Sequence, residues 1–272
     1  MRLLLLGGTG FLGRAVAQAA LSHGVAVTCL ARGSAHVPVG ADLVRADRDL
    51  DDALAAVAGQ PWDALVDLSR QPGHVRRAVR DLTARRWVFI SSASVYARFD
   101  RPEQGEDAEL IAPLAGDVLT DMGQYGAAKV ACEASIRAST DSWTIIRPGL
   151  IGGMGDVTGR SGYYPWRFAH PTGLDVLVPP DLTFPVSLFD VDDLATWVVT
   201  CALHRTQGVF NATGDTTTLG RVLQTARTVA SSTAVPARSR RRSSPRATSR
   251  HGWAHTRCRC GSMTRRGAGS PR

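Results

Sequence analysis

Over the first 150 residues, short uninterrupted apolar runs alternate with amphipathic stretches. The apolar runs predict strands at Leu3–Leu6, Val25–Ala31, Asp42–Arg45, Ala64–Leu68, Trp87–Ser91 and Trp143–Ile146. Between them, helical spacing predicts helices at Phe11–Ser22, Asp51–Val57, Val75–Ala84 and Tyr125–Ala138. The first of these places residues 12, 15, 16 and 19 on one apolar face. Strands that read as continuous apolar runs are strands covered on both faces. Alternation of this kind predicts an α/β fold: a Rossmann-type doubly wound parallel sheet.

The pattern changes after residue 150. Residues 149–188 are rich in glycine, proline and aromatic residues with little periodicity, and read as a small substrate-side lobe or lid. Helical spacing returns at Asp190–Leu203, a strand at Gly208–Asn211 and a last helix at Leu219–Ala230. The predicted organisation is a Rossmann-type domain over 1–150, to which 186–211 returns, and a lobe over 151–233. Residues 100–122 form a long polar connection after the fifth strand, the kind of loop that often carries function.

From about Ala234 aliphatic residues almost vanish. Residues 234–272 hold 11 Arg and no acid. Such a segment buries too little apolar surface to offset its ordering entropy, so disorder is expected. The chain has 31 Arg and one Lys, a sign of a GC-rich gene. In such a gene an out-of-frame stretch yields Arg, Ser, Pro and Gly. The segment therefore reads as a frameshifted or otherwise aberrant C-terminus, which would curtail the lobe. The alternative is a basic arm for nucleic acid or acidic surfaces.

The formal charge of +8 belongs to that tail, because residues 1–233 carry 21 basic against 24 acidic residues. Nucleic acid is therefore not an expected partner of the folded part. The five cysteines are too few and too irregular for a disulfide framework, and Cys258-Arg-Cys260 lacks zinc-knuckle spacing. The histidines show no metal-ligand spacing, so no metal site is expected. No apolar run reaches the roughly 18 residues of a membrane span, and Leu3–Leu6 is too short for a signal peptide. The expected location is the cytoplasm.

Gly7-Gly8-Thr9-Gly10-Phe11-Leu12-Gly13 follows a strand and opens a helix. Small residues there permit a tight turn and close approach of a pyrophosphate, and the helix N-terminus offers unpaired N–H groups. Gly7, Thr9, Gly10, Phe11, Leu12 and Gly13 are thus expected to hold a dinucleotide. The end of the second strand separates the two nicotinamide cofactors. An NAD site places an acid there for the ribose hydroxyls. Here Ala31 is followed by Arg32, whose guanidinium suits a 2′-phosphate. The expected cofactor is NADP(H), with NAD(H) as the alternative.

These features and three later ones resemble the extended short-chain dehydrogenase/reductase family. The later ones are Ser91-Ser92-Ala93-Ser94-Val95-Tyr96, Tyr125-Gly126-Ala127-Ala128-Lys129 and Arg147-Pro148-Gly149. The resemblance covers about 1–230 and implies catalytic Ser92, Tyr125 and Lys129. In it, Tyr125 is the acid/base. Lys129, one turn later, favours ionisation of the Tyr125 hydroxyl and also bonds the nicotinamide ribose. Ser92 orients the substrate oxygen. The resemblance further places Asp47 and Arg48 at the adenine, Leu68 and Ser69 beside the cofactor, and Pro148 at the nicotinamide. In the lobe, Arg160, Tyr163, Trp166 and Arg167 are weaker candidates for a polar or anionic substrate.

The function expected from this set is NADP-dependent oxidoreduction of a small-molecule carbonyl compound. A nucleotide-sugar epimerase or dehydratase of the same family is the first alternative. Ala93 and Ser94 stand where sugar dehydratases place acids, and the missing acid at position 31 disfavours a retained NAD. The second alternative is a non-catalytic cofactor- or RNA-binding member. Family members often pair through the helix near Tyr125, so a homodimer is an expected partner state.

Overall fold

The computed structural model describes residues 1–100 and 103–238. Its centre is a seven-stranded sheet in which every neighbouring pair is parallel. The strands are β1 (Arg2–Leu6), β2 (Ala26–Ala31), β3 (Asp42–Arg45), β4 (Ala64–Asp67), β5 (Trp87–Ile90), β6 (Trp143–Pro148) and β11 (Gly208–Ala212). Their order across the sheet is β11-β6-β5-β4-β1-β2-β3, and the two-residue strands β7 (Ile151–Gly152), β9 (Pro185–Val186), β10 (Phe189–Asp190) and β12 (Thr217–Thr218) pair outside it, β7 with β10 and β9 with β12. Strand order therefore reverses at β1, which lies between β2 and β4. In open α/β sheets the crevice at such a reversal, beyond the carboxyl ends of the strands, is where ligands bind.

Helices cover both faces. Leu3 and Leu5 point to one side, with α1 (Phe11–Ser22) and α5 (Val191–His204); Leu4 and Leu6 point to the other, with α2 (Pro72–Asp81) and α3 (Tyr125–Ser139). All four leucines are fully buried, which is why β1 reads as an unbroken apolar run. Residues 51–59 are a succession of turns closed by bonds such as Ala55 N–H to Asp52 O (3.0 Å) and Val57 N–H to Leu54 O (3.0 Å). The helix expected at Asp51–Val57 is thus replaced by tighter three-residue turns. Leu54 and Val57 still face the core, so the apolar spacing reflects a real buried face.

A second, smaller core lies beyond β6. It joins Phe168 of α4 (Tyr163–Ala169), Val176 and Val178 of β8 (Asp175–Val178), and Leu223 and Ala226 of α6 (Leu219–Val229). Ala234 completes it, and β13 (Val235–Arg238) pairs in parallel with β8. The sequence predicts disorder from about residue 234, yet 234–238 belong to this lobe. Val235-Pro236-Ala237 is the last apolar stretch before the arginine-rich segment, and β8 offers it an open edge. The remainder of the expected tail, 239–272, lies outside the described residues.

Candidate active site

The glycine turn sits at the strand reversal. Gly7 adopts φ +106°, a region L-residues avoid, and its N–H donates to Leu30 O of β2 (3.0 Å). A side chain at Gly8 would lie 2.4 Å from Cys29 Sγ, and one at Gly13 would lie 2.2 Å from Gly7 O. Gly10 begins α1 without any side chain to cap it, and the first turn of α1 contains no acid. The turn is therefore narrow, free of Cβ atoms and edged by helix N–H groups that no side chain occupies. Those properties fit a pyrophosphate. Phe11 and Thr9 are half-buried beside it, and Leu12 anchors the helix in the core. A Cβ added at Gly155 would lie 3.9 Å from the Phe11 ring, so the segment after β6 returns close to the glycine turn.

The other expected residues line up along the same carboxyl edge. Arg32 is exposed directly after β2. Asp47 follows β3 and turns one oxygen back onto the Asp49 N–H (3.1 Å). Leu68 and Ser69 follow β4, Ser92 follows β5 and Pro148 ends β6. Arg48 turns into the wall of this edge. Its guanidinium forks onto Asp67 (2.9 and 3.0 Å) and also donates to His74 O (2.7 Å), while its Nε is buried without a partner. Asp67 is fully buried at the end of β4, and a buried carboxylate needs a counter-ion. Arg48 serves as that counter-ion and braces the wall. The sequence signal is an acid closing an otherwise apolar strand.

Ser69 is the centre of this wall. Its N–H donates to Asp67 Oδ1 (2.8 Å), and its Oγ lies 3.3 Å from His74 Nδ1. His74 Nε2 is 2.7 Å from Asp49 Oδ1. Burial pushes His74 below its ordinary range, against the pull of the Asp49 hydrogen bond. A neutral ring donating from Nε2 to Asp49 and accepting the Ser69 hydroxyl at Nδ1 satisfies every partner. The backbone oxygen of Ser69 accepts from Lys129 Nζ (2.7 Å).

Lys129 is the only lysine of the chain and is 2% exposed. A second donor goes to Ile90 O (2.7 Å), and the ammonium lies over the rings of Phe89 and Tyr125 at 4.8 and 5.9 Å. Two carbonyls, of Ser69 just after β4 and of Ile90 at the end of β5, thus hold this cation under Tyr125. Tyr125, at the first turn of α3, is half-buried. Ser92 is nearly buried and caps a short turn, η1 (Ala93–Val95), accepting the Ser94 N–H at 3.1 Å. Gly126 lets α3 approach this turn, since a Cβ there would sit 2.1 Å from Ser94 O. Ser92, Tyr125 and Lys129 therefore share one corner at the ends of β4 and β5.

The lobe candidates are more dispersed. Tyr163 and Trp166 are exposed on α4, Trp166 stacks on His170, and Arg167 bonds His170 O and Thr172. Asp190 caps α5 through the Asp192 and Asp193 N–H groups, so this acidic run builds a helix start. Among the described residues no cluster of histidine, cysteine or acid is arranged to hold a metal, and no helix is long and apolar enough to cross a membrane.

A doubly wound parallel sheet with a bare glycine turn at its reversal defines a dinucleotide-binding protein. The sequence matches the NAD dependent epimerase/dehydratase family over residues 3–213, and the chain belongs to that family. NAD(P) dependence accompanies that membership. No curated protein matches the sequence significantly. Among solved structures, a Burkholderia cenocepacia J2315 protein assigned as an epimerase is 20% identical, with TM-score 0.74 over 94% of this chain and 87% of that one. The UDP-glucuronic acid 4-epimerase of Bacillus cereus in complex with NAD is 15% identical, with TM-score 0.68 over 88% and 87%. The UDP-glucose 4-epimerase of Thermus thermophilus in complex with NAD is 19% identical, with TM-score 0.66 over 88% and 86%.

Proposed function

We propose that this chain is an NADP-preferring oxidoreductase acting at a carbonyl or carbinol carbon, with Tyr125 as its acid/base. The observation that carries this reading is Lys129. A lone lysine, buried and held by the carbonyls of Ser69 and Ile90 beneath the Tyr125 ring, has no structural need to be charged there. Burying an ammonium is costly, and its cationic partner role toward a phenol and a ribose accounts for it.

The glycine turn and the α1 N-terminus would hold the pyrophosphate, Asp47 and Leu68 would flank the adenosine side, and Arg32 would meet a 2′-phosphate. Bound there, the nicotinamide supplies hydride chemistry. The chain's own residues handle the oxygen and its proton. Ser92 Oγ donates to the substrate oxygen and fixes its direction. Tyr125 Oη delivers or removes the proton at that oxygen, and the Lys129 ammonium beneath its ring would bond the nicotinamide ribose. Positioned proton transfer of this kind contributes roughly 10²- to 10⁴-fold.

A second reading is a nucleotide-sugar epimerase, favoured by the family and by structural neighbours named as UDP-sugar 4-epimerases. The same three side chains would serve it, because oxidation and re-reduction of one carbinol need the same proton exchange. Cofactor accounting separates the two. A reductase consumes one NADPH per product, whereas an epimerase shows no net change in cofactor. A screen of carbonyl compounds and UDP-sugars, followed by NADPH absorbance and by product analysis, should show NADPH consumption that Tyr125→Phe lowers by about 10²-fold or more. Epimerised UDP-sugar without net cofactor change would select the second reading.

A further inference from the structure

Behind the candidate catalytic corner lies a buried polar network that proton exchange does not use. Glu133 is on α3, one turn beyond Lys129 and two beyond Tyr125, and is 2% exposed. Its Oε1 accepts from Ser91 Oγ (2.6 Å) and Arg147 Nε (2.9 Å), and its Oε2 accepts from Arg147 Nη2 (2.7 Å). Arg137 reaches the same carboxylate from farther away, at 3.4 Å. Arg147 is 1% exposed and donates onward to Tyr96 Oη and Glu106 O, both at 3.0 Å. Tyr96 Oη donates to Asn211 Oδ1 (2.6 Å), and the Asn211 N–H donates to Glu106 Oε1 (2.9 Å).

The core of this network neighbours working residues. Ser91 precedes Ser92, Arg147 precedes Pro148, and Glu133 continues the face of Tyr125 and Lys129 at four-residue spacing. A buried ion pair is a poor way to gain stability, because apolar residues of similar volume would do as well. A bidentate guanidinium–carboxylate pair does, however, fix direction as well as distance. An α-helix resting on apolar contacts alone can slide along the sheet; one tied by both carboxylate oxygens cannot.

We propose that Glu133 is a positioning residue. Through Ser91 and Arg147 it fixes the register of α3 against the ends of β5 and β6, and with it the placement of Tyr125 relative to Ser92. This inference rests on the proton-exchange reading above. A misplacement of about 1 Å in such a site can cost roughly 10²-fold in turnover.

The test uses the full chain in three variants. Glu133→Ala strands the Arg147 charge and should lower the melting temperature. Glu133→Leu with Arg147→Met removes both charges and should restore it. Amide exchange at 91–96 and 125–129 should nevertheless stay faster than wild type, and kcat should stay roughly 10²-fold down, with NADPH affinity lowered far less than kcat. Ser91→Ala, which leaves the ion pair intact, should raise exchange in both segments and lower kcat several-fold. A melting temperature, exchange pattern and kcat all restored in the paired variant would reduce Glu133 to a purely structural part and overturn the proposal. If the paired variant does not fold, Ser91→Ala decides, and wild-type exchange in both segments there also overturns it. Absence of turnover in the wild type would count against the oxidoreductase reading, while the exchange comparison would still decide the role of Glu133.

Discussion

At the residue scale, single side chains divide into those that face a ligand and those that hold the wall. Arg32 follows β2 and is exposed there, its charge felt by Asp49. Arg32→Asp should therefore weaken NADPH binding far more than NADH binding, read as the ratio of the two dissociation constants; an unchanged ratio would remove Arg32 from cofactor choice. His74 makes a pH prediction. Burial lowers its proton affinity in the native state, so the unfolded chain binds the extra proton first. Stability is then fully present above about pH 6.5 and falls as the pH drops below it, toward the depressed native value. Asp49, lowered by its hydrogen bond to His74, loses its contribution only at more acidic pH. His74→Gln should flatten the denaturant-midpoint profile just below about pH 6.5, and an unaltered slope would place that proton elsewhere. Asp67 shows in the sequence as an acid closing an apolar strand, but its pairing with Arg48 is hidden, because partners 19 residues apart on a strand end and a loop leave no spacing signal. The sequence places Arg48 beside the site but does not aim it.

At the element scale, most boundaries are legible because the physics is local. β3 at Asp42–Arg45 matches its apolar run, and α1 matches its helical spacing from Phe11 to Ser22. Residues 51–59 mislead because tight turns and a short helix bury the same spacing of Leu54 and Val57. β13 leaves no signal of its own, since its register is set by β8, some 60 residues earlier. The approach of α3 to the Ser92 turn is also invisible in the sequence, although Gly126 carries it. A methyl group at 126 would meet the Ser94 carbonyl at 2.1 Å. Gly126→Ala should thus push the first turn of α3 away. The expected outcome is a loss of turnover of about 10²-fold, with a much smaller rise in the cofactor dissociation constant because the glycine turn is untouched. Equal loss of cofactor binding and turnover would mean that the strain spreads through the sheet instead.

At the scale of the whole molecule, the sheet order turns a linear pattern into a site. Residues as distant as Gly7, Ser69, Ser92, Lys129 and Pro148 meet because each ends or follows a parallel strand or leans on one. Strand alternation is enough to foresee the doubly wound sheet, and the motifs are enough to foresee which edge carries the glycine turn. The family membership over 3–213 agrees with both. The choice between reductase and epimerase is not legible, since one set of acid/base residues serves both. The central claim, that the glycine turn at the strand reversal holds a nicotinamide dinucleotide, has a direct measurement. Calorimetric titration of the wild type and Gly13→Ala with NADPH and NADH should give saturable one-to-one binding, tighter for NADPH. It should be lost in the variant, whose added methyl lies 2.2 Å from Gly7 O. No binding by the wild type, or equal binding by the variant, would contradict the account.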